Sequence, residues 1–475
     1  MEQSALQGQL RPGSLGTADI VFFVIAAAAP LGATLGAGPV VFAMGGAISP
    51  AIYLAASVVL LLFAIGFAAM SRHVVSAGGF ADLVRSGLGK TAGHAAAGVA
   101  LLAYICMLAG LYGQFAAFGA DILSTLAGLT LDWKIIAVLG MVLIGVFGYL
   151  DVNVSAKVLG ILMVLEVLIM VLFDIAVLFQ TDLSTFDWGV LSPLQLSIST
   201  PGVSLALMFA FCCFVGFEST TIYGEEARNP NRTVPLATYI AIILIGVFYT
   251  LTSVSLALAY ADVDVKAAAS GDMLNFVFNA NTKFVGNWST ATMKVLVVTS
   301  VFAVLLSFHN ALCRYLFSLA RSGFLARALS QVHPKHASPH RASLTLSLCT
   351  LVLVGGFMVA GADPVQQLYL WLVGLGTLGV LILQALGAAA VVGFSLKTGK
   401  CGVWQGVVAP VLGGAGLLCI VVLAITHFSE LSGASDGAAT NLPWLLLLAA
   451  LLGALNGRFQ RPSIATPSSA SVSSQ

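Results

Sequence analysis

What this 475-residue chain has least of is charge. Asp, Glu, Lys and Arg together make up 8 % of it, and the net charge is +1. A soluble domain carries roughly 25 % charged residues. With 59 % of the residues hydrophobic, too few polar groups exist to cover a water-facing surface. That excludes an ordinary cytosolic enzyme, a secreted domain and a disordered chain, and leaves a polytopic membrane protein. A net charge near zero offers no basic field for nucleic acid. The seven cysteines contain no CxxC pair, so neither a disulfide framework nor a metal site is indicated. The runs HExxH and GxxxxGK[ST] are missing. No catalytic arrangement and no cofactor is therefore expected, and ATP is not the drive.

What is there is a series of long uncharged runs. A membrane-spanning helix needs about 20 mostly apolar residues. Residues 20–71 carry no Asp, Glu, Lys or Arg and have room for two helices, with a break at Pro50 after Gly45-Gly46. Further runs are 91–120, 135–150, 188–217, 233–261, 295–313, 342–362, 364–396, 401–429 and 437–457. Residues 158–181 make one more, interrupted by Glu166 and Asp174. The expectation is an all-α protein of twelve transmembrane helices, since lipid offers no partners to unpaired backbone. With the N-terminus in the cytoplasm, 16 of the 20 basic residues fall inside and only Lys134, Lys266, Lys283 and Lys294 outside. That asymmetry predicts a multi-pass protein of the cytoplasmic membrane with both termini cytoplasmic. Residues 1–16 are expected as a cytoplasmic tail, 17–457 as one transmembrane domain in the lipid bilayer, and the Ser-rich 458–475 as a disordered cytoplasmic tail.

Two of the expected helices are unusual. Helix 1 contains Pro30-Leu-Gly32-Ala33-Thr34-Leu35-Gly36-Ala37-Gly38-Pro39, a run hostile to a continuous helix. Helix 6 contains Cys213-Phe214-Val215-Gly216-Phe217-Glu218, with a carboxylate beside a glycine near mid-helix. Non-helical backbone at membrane depth is tolerated where it lines a cavity or is buried in protein. Interrupted segments at matching positions of two halves point to a transporter binding site. The sequence thus predicts unwound backbone around Gly36 and Gly216, 180 residues apart. With five helices per half, the second repeat would be inverted.

From helix 6 onward the chain resembles a known family. The run Phe211-Cys-Cys-Phe214-Val-Gly216-Phe217-Glu218, then Glu225-Glu226-Ala-Arg228-Asn229-Pro230-Asn-Arg232-Thr-Val-Pro235, is similar to the helix 6–7 signature of amino acid/polyamine/organocation permeases. A second block, Asn310 to Leu325 followed by Val332-His333-Pro334-Lys335 and Ser338-Pro339, resembles their helix 8 and following loop. Ser76-Ala-Gly78-Gly79-Phe80 is a weaker match. The resemblance implies a leucine-transporter-type fold with discontinuous helices 1 and 6. Its inverted five-helix repeats would span about 17–181 and 200–395, with helices 11–12 at about 403–457. It implies a secondary active permease for an amino acid or small organic amine. Helix 1 departs from the commoner G-S/A-G-I-F pattern toward a branch that includes putrescine importers, so a polyamine importer or an exchanger is the alternative. A channel or intramembrane enzyme would need a polar stripe or paired acids; only Glu166, Asp174 and Glu218 lie deep, and they are dispersed.

Candidate substrate-binding residues are Ala33, Thr34 and Gly36 of helix 1, Phe214, Gly216 and Glu218 of helix 6, Tyr104 of helix 3 and Trp371 of helix 10. Half-helix N-termini would offer N–H groups to a carboxylate. Glu218 could bind an ammonium or instead cap the broken helix. Some proton-coupled relatives carry a lysine where Glu166 stands; here it is an acid of opposite charge, and because a buried carboxyl can gain and lose a proton near physiological pH, Glu166 is a candidate for proton coupling. A hydrogen bond to a neighbouring helix is its plainer role. Ser307 and Asn310 could assist coupling from helix 8. His309 is either a proton relay or a packing residue. Glu225, Glu226, Arg228 and Arg232 are expected to form a cytoplasmic charge network that helps alternate access, or simply to anchor the topology.

Overall fold

The computed structural model describes residues 16–74, 79–150, 156–197, 201–218, 220, 227–334, 338–432 and 439–459. The tail expected at 1–16 lies outside them except for Gly16, as does the tail at 458–475 beyond Phe459. Among the described residues there is no strand, as expected for apolar runs whose backbone must bond within itself. In chain order the helices are α1 (Thr17–Ala28), α2 (Pro30–Gly45), α3 (Ser49–Ser71), α4 (Gly79–Leu88), α5 (Lys90–Ala127), α6 (Trp133–Tyr149), α7 (Ala156–Gln180) and α8 (Pro201–Cys212). They continue as α9 (Pro230–Ala259), α10 (Val265–Gly271), α11 (Phe276–Phe284), α12 (Asn287–Arg321), α13 (His340–Val359), α14 (Leu370–Thr398), α15 (Ala409–Thr426) and α16 (Pro443–Phe459). A π-helical turn, Pro364–Tyr369, leads into α14.

Among the described residues, nine helical stretches are long and apolar enough to cross a membrane. The first, Pro30–Ser71, is 42 residues long, about twice one crossing. It holds α2, a tight turn at Gly46–Ile48, and α3. Helix α6 and the Gly202–Cys212 part of α8 are apolar but shorter. The run 188–217, expected as one helix, divides. Asp187 accepts from the Gly189 N–H at 2.8 Å and caps a short 3₁₀ turn. Pro193 then starts another, and the α-helix begins only at Pro201.

The interruption expected in helix 1 lies at Ala29, between α1 and α2, seven residues before Gly36. Ala29 has φ 44°, the only positive φ outside glycine among the described residues. Such a conformation costs on the order of 1–3 kcal/mol. Pro30 then occupies the first position of α2, where its fixed φ suits a helix start and its missing N–H is not needed. From there α2 runs unbroken through Gly36, Gly38 and Pro39. The expectation of unwound backbone at Gly36 is thus corrected. Without water to compete for the backbone, glycines in a buried helix serve close packing instead.

Helices α5 and α14 form the centre, with α16 and α4 against them. The contacts are made by small residues. Gly376 of α14 sits on Ala103 and Met107 of α5, while Gly98 of α5 faces Ala449 and Gly453 of α16. Outward-facing Leu168 of α7, Val352 of α13 and Leu452 of α16 are more than half exposed, as lipid-facing residues are. Lys294, expected in an outer loop, lies instead inside α12. Its ammonium is 2.7 Å from Asp121 of α5, with the two side chains 10 % and 16 % exposed. It also donates to Thr125 Oγ1 at 3.2 Å. Removing one partner of a buried pair strands the other, at a cost of about 3–5 kcal/mol. Lys294→Met is therefore expected to lower the Tm of the purified protein sharply. Lys294→Met combined with Asp121→Asn should recover most of that loss.

Candidate functional site

A cavity of about 60 Å³ lies where the two interrupted stretches meet. Ala28, Ala29, Gly32 and Ala33 line it from the first, Cys212 and Val215 from the second. Helix α8 ends at Cys212, and the chain turns through Cys213 to Gly216, whose φ is 116°. A side chain at that φ is strained, so Gly216 fits the turn for a backbone reason. The remaining walls come from Met107, Leu111 and Gln114 of α5, from Val301, Val304 and Phe308 of α12, and from Tyr369 and Val373 at the start of α14.

Two acids brace the two breaks. Glu218 accepts from the Gly216 N–H at 2.9 Å through Oε2 and from the Tyr104 hydroxyl at 3.2 Å through Oε1. It thereby satisfies a backbone donor freed by the turn. Glu166, 4 % exposed, accepts from Ser300 Oγ at 2.9 Å and from the Leu31 N–H. Leu31 stands in the first turn of α2, whose N–H groups have no partner within the helix. A carboxylate from α7 therefore caps α2 and ties it to α12. Gly32, the next residue of that turn, lines the cavity, and its carbonyl accepts from Gln114 Nε2 at 2.7 Å.

Gly36 lies just above. A Cβ there would collide with the Gln114 amide and come within 2.8 Å of the Tyr369 hydroxyl. Gly36→Ala is therefore expected to push Gln114 off the Gly32 carbonyl, at about 1–3 kcal/mol of overpacking. A lowered Tm together with reduced substrate binding would register it.

The other expected residues are distributed as follows. Thr34 bonds back to the Pro30 carbonyl at 2.7 Å and is buried. Tyr104 approaches the site edge-on to Phe308, with ring centroids 6.3 Å apart. Phe214 is fully buried against Tyr249, 5.9 Å away. Phe217 packs on Phe63 and Phe67, each 6.2 Å away. Trp371 points away from the cavity and packs on Phe357 of α13 at 6.0 Å. Ser307 is exposed and Asn310 half-buried, and neither lines the cavity. His309 is buried and pairs with Ser343 Oγ at 2.9 Å, against Gly148. Arg228 and Arg232 are exposed near the start of α9. Glu225 and Glu226, like Ser76 to Gly78, lie outside the described residues.

Sequence reasoning missed Gln114, Ser300 and Tyr369. Gln114 is the only carboxamide in the run 91–120, a signal that was available. Ser300 lies two helical turns before Ser307 on the same helix, and nothing local distinguishes the two. Among the described residues no cluster of His, Cys, Asp and Glu suits a metal ion.

Comparison with known proteins gives the family. A model described as amino acid permease matches residues 15–454. A branched-chain amino acid permease of Bacillus subtilis is 26 % identical over 235 residues, 50 % of this chain and 47 % of that protein. Cationic amino acid transporter 5 of Arabidopsis thaliana is 25 % identical over 185 residues, 38 % of this chain and 30 % of that protein. The chain spans about half the length of the first curated relatives it matches. The crystal structure of a mutant manganese transporter from Eremococcus coleocola shares the fold, with a TM-score of 0.55 over 95 % of this chain and 98 % of that one, at 12 % identity. With the family model running through nearly every helix described above, the chain belongs to the amino acid permease family.

Proposed function

We propose that the protein is a secondary active transporter that carries an amino acid or small organic amine across the cytoplasmic membrane by alternating access. The observation that carries this reading is one cavity lined by both interrupted stretches, at Ala29 and at Cys212 to Val215. The names of the relatives, a branched-chain amino acid permease and a cationic amino acid transporter, support an amino acid as the cargo. In this reading α1 with α2 makes one crossing, and α8 with the stretch after it another. Helices α3, α5, α6, α7, α9 and α12 to α16 bring the total to twelve, in two inverted repeats of five followed by α15 and α16. Both termini are then cytoplasmic.

In the first turn of α2, where Glu166 holds the Leu31 N–H, the Gly32 N–H receives the substrate carboxylate, aided by the positive end of the helix. Carbonyls at the end of α1 and the turn after α8 receive the ammonium. Ala33 lies on the cavity wall beside that first turn, Thr34 and Gly36 support it, and Gly216 with Glu218 and Tyr104 shapes the second break. Proton coupling runs through Glu166. Its carboxylate holds the Leu31 N–H and Ser300 together, so protonation weakens a bond between the moving break and α12. Ser307 and Asn310 lie farther along α12, toward the cytoplasmic side, and assist from there. Glu225 and Glu226 with Arg228 and Arg232 form the cytoplasmic charge network.

The test is uptake of labelled amino acids into proteoliposomes containing the purified full chain, under imposed proton or sodium gradients. Saturable uptake driven by an inward proton gradient is expected. Uptake that rises linearly with concentration, or that follows only sodium, would overturn the transport or the coupling part respectively.

A further inference from the structure

The cavity walls divide by chemistry. Polar groups gather at the helix breaks, at the Gly32 carbonyl, Gln114 and the Tyr369 hydroxyl. The far wall is aliphatic. Val301, Val304 and Phe308 recur at i, i+3 and i+7 on α12, the spacing of one helix face. Met107 and Leu111 do the same on α5, one turn apart. None of the described lining residues carries a formal charge. The two acids nearest the breaks already have donors on their carboxylates: Ser300 and Leu31 on Glu166, Gly216 and Tyr104 on Glu218. Neither offers a free oxygen row to a second ammonium.

We propose that Val301 and Val304, facing Met107 and Leu111, form an aliphatic side-chain subsite that selects neutral amino acids with small or branched aliphatic side chains and refuses cationic, acidic and diamine substrates. The proposal rests on the transport reading above and deepens it. An ammonium or carboxylate on the substrate side chain would be desolvated against valine methyls with no partner, which is prohibitive. A neutral aliphatic side chain meets its own kind. Size adds a limit. With only about 60 Å³ between the walls, a long side chain displaces the valine methyls more than a short one does. Val304 is the wall residue whose truncation gives that room directly. Phe308 closes the end of the face, held edge-on by Tyr104.

Two readouts on the full-length protein test this. In proteoliposomes, unlabelled alanine, valine and leucine are expected to compete with labelled valine at least ~10-fold better than lysine, glutamate or putrescine. In detergent, the same three should raise the Tm and the charged three should not. Val304→Ala should raise kcat/KM for leucine relative to alanine by about 10-fold. Val304→Thr, of nearly the same volume, should weaken valine while leaving serine unaffected. Lysine, glutamate or putrescine as the strongest competitor or stabiliser overturns the subsite while leaving the transport reading intact. So does a Val304→Ala variant that changes all substrates in equal proportion. Stabilisation by the aliphatic three with no uptake of any substrate supports the subsite and defeats the transport reading instead.

Discussion

Glu166→Gln is expected to abolish accumulation of substrate against a gradient while sparing substrate-for-substrate counterflow. The glutamine keeps the length of the side chain. Its carbonyl oxygen can still accept from the Leu31 N–H, and its amide can still donate toward Ser300, so the cap on α2 survives. What it cannot do is gain and lose a proton. Coupled to one proton, a gradient of about two pH units supports about 100-fold accumulation, at ~1.4 kcal/mol per unit. The variant should equilibrate its substrate and go no further. Glu166→Ala should behave worse, since it leaves the Leu31 N–H buried without its acceptor, at about 1–3 kcal/mol. Proteoliposome uptake under an imposed pH gradient separates these outcomes. A Gln variant that still accumulates substrate like the wild type removes Glu166 from coupling.

Glu218→Ala is expected to reduce transport by about 10- to 100-fold, from the ~1–3 kcal/mol of a buried donor left without its acceptor. Both carboxylate oxygens accept, one from Gly216 and one from Tyr104, and alanine removes both bonds. Glu218→Gln keeps the Gly216 bond through its carbonyl and can donate its amide to the Tyr104 hydroxyl oxygen, as at Glu166, so it should cost less. Tyr104→Phe removes a single bond and should also cost less than alanine, about 0.5–1.5 kcal/mol. The ordering of the variants is therefore the diagnostic. A Gln variant as damaged as Ala would show that Glu218 acts through its charge on the substrate rather than by bracing the turn. Thermal melts of all three variants, run beside uptake, report on the folded state independently.

Much of the membrane architecture is legible in the spacing of charges. Pro50 and the uncharged run 20–71 correctly announce α2 and α3 with a turn between, because crossing the hydrocarbon requires a fixed length of apolar chain. The exact seat of the first break is not legible that way. Gly36, Gly38 and Pro39 look like the weak point, yet the helix passes through them and breaks at Ala29. Propensity measured in water loses its force where a backbone group has no water to turn to. The proline that matters is Pro30, acting as a start rather than a stop.

The candidate site shows the same division. Glu218 and Gly216 are one motif, two residues apart, and their bond is local. Glu166 meets Ser300 across 134 residues, and Gln114 meets Gly32 across 82. No window of sequence holds either pair. Trp371 illustrates the converse. An aromatic in the right helix, it turns toward Phe357, because which face of an apolar helix looks inward is set by its neighbours.

Composition and charge spacing alone suffice to establish an all-helical membrane protein, and the runs around Pro30 and Gly216 point to irregular backbone in two of its apolar stretches. Those are properties of the solvent the chain must enter, and each residue type meets that solvent in the same way wherever it stands. Which carboxylate holds which N–H, which glycine makes room for Gln114, and why the pocket's far wall is valine depend on helices distant in sequence coming to lie side by side. Burial and hydrogen bonding are pairwise, and the partner is chosen only when the helices pack.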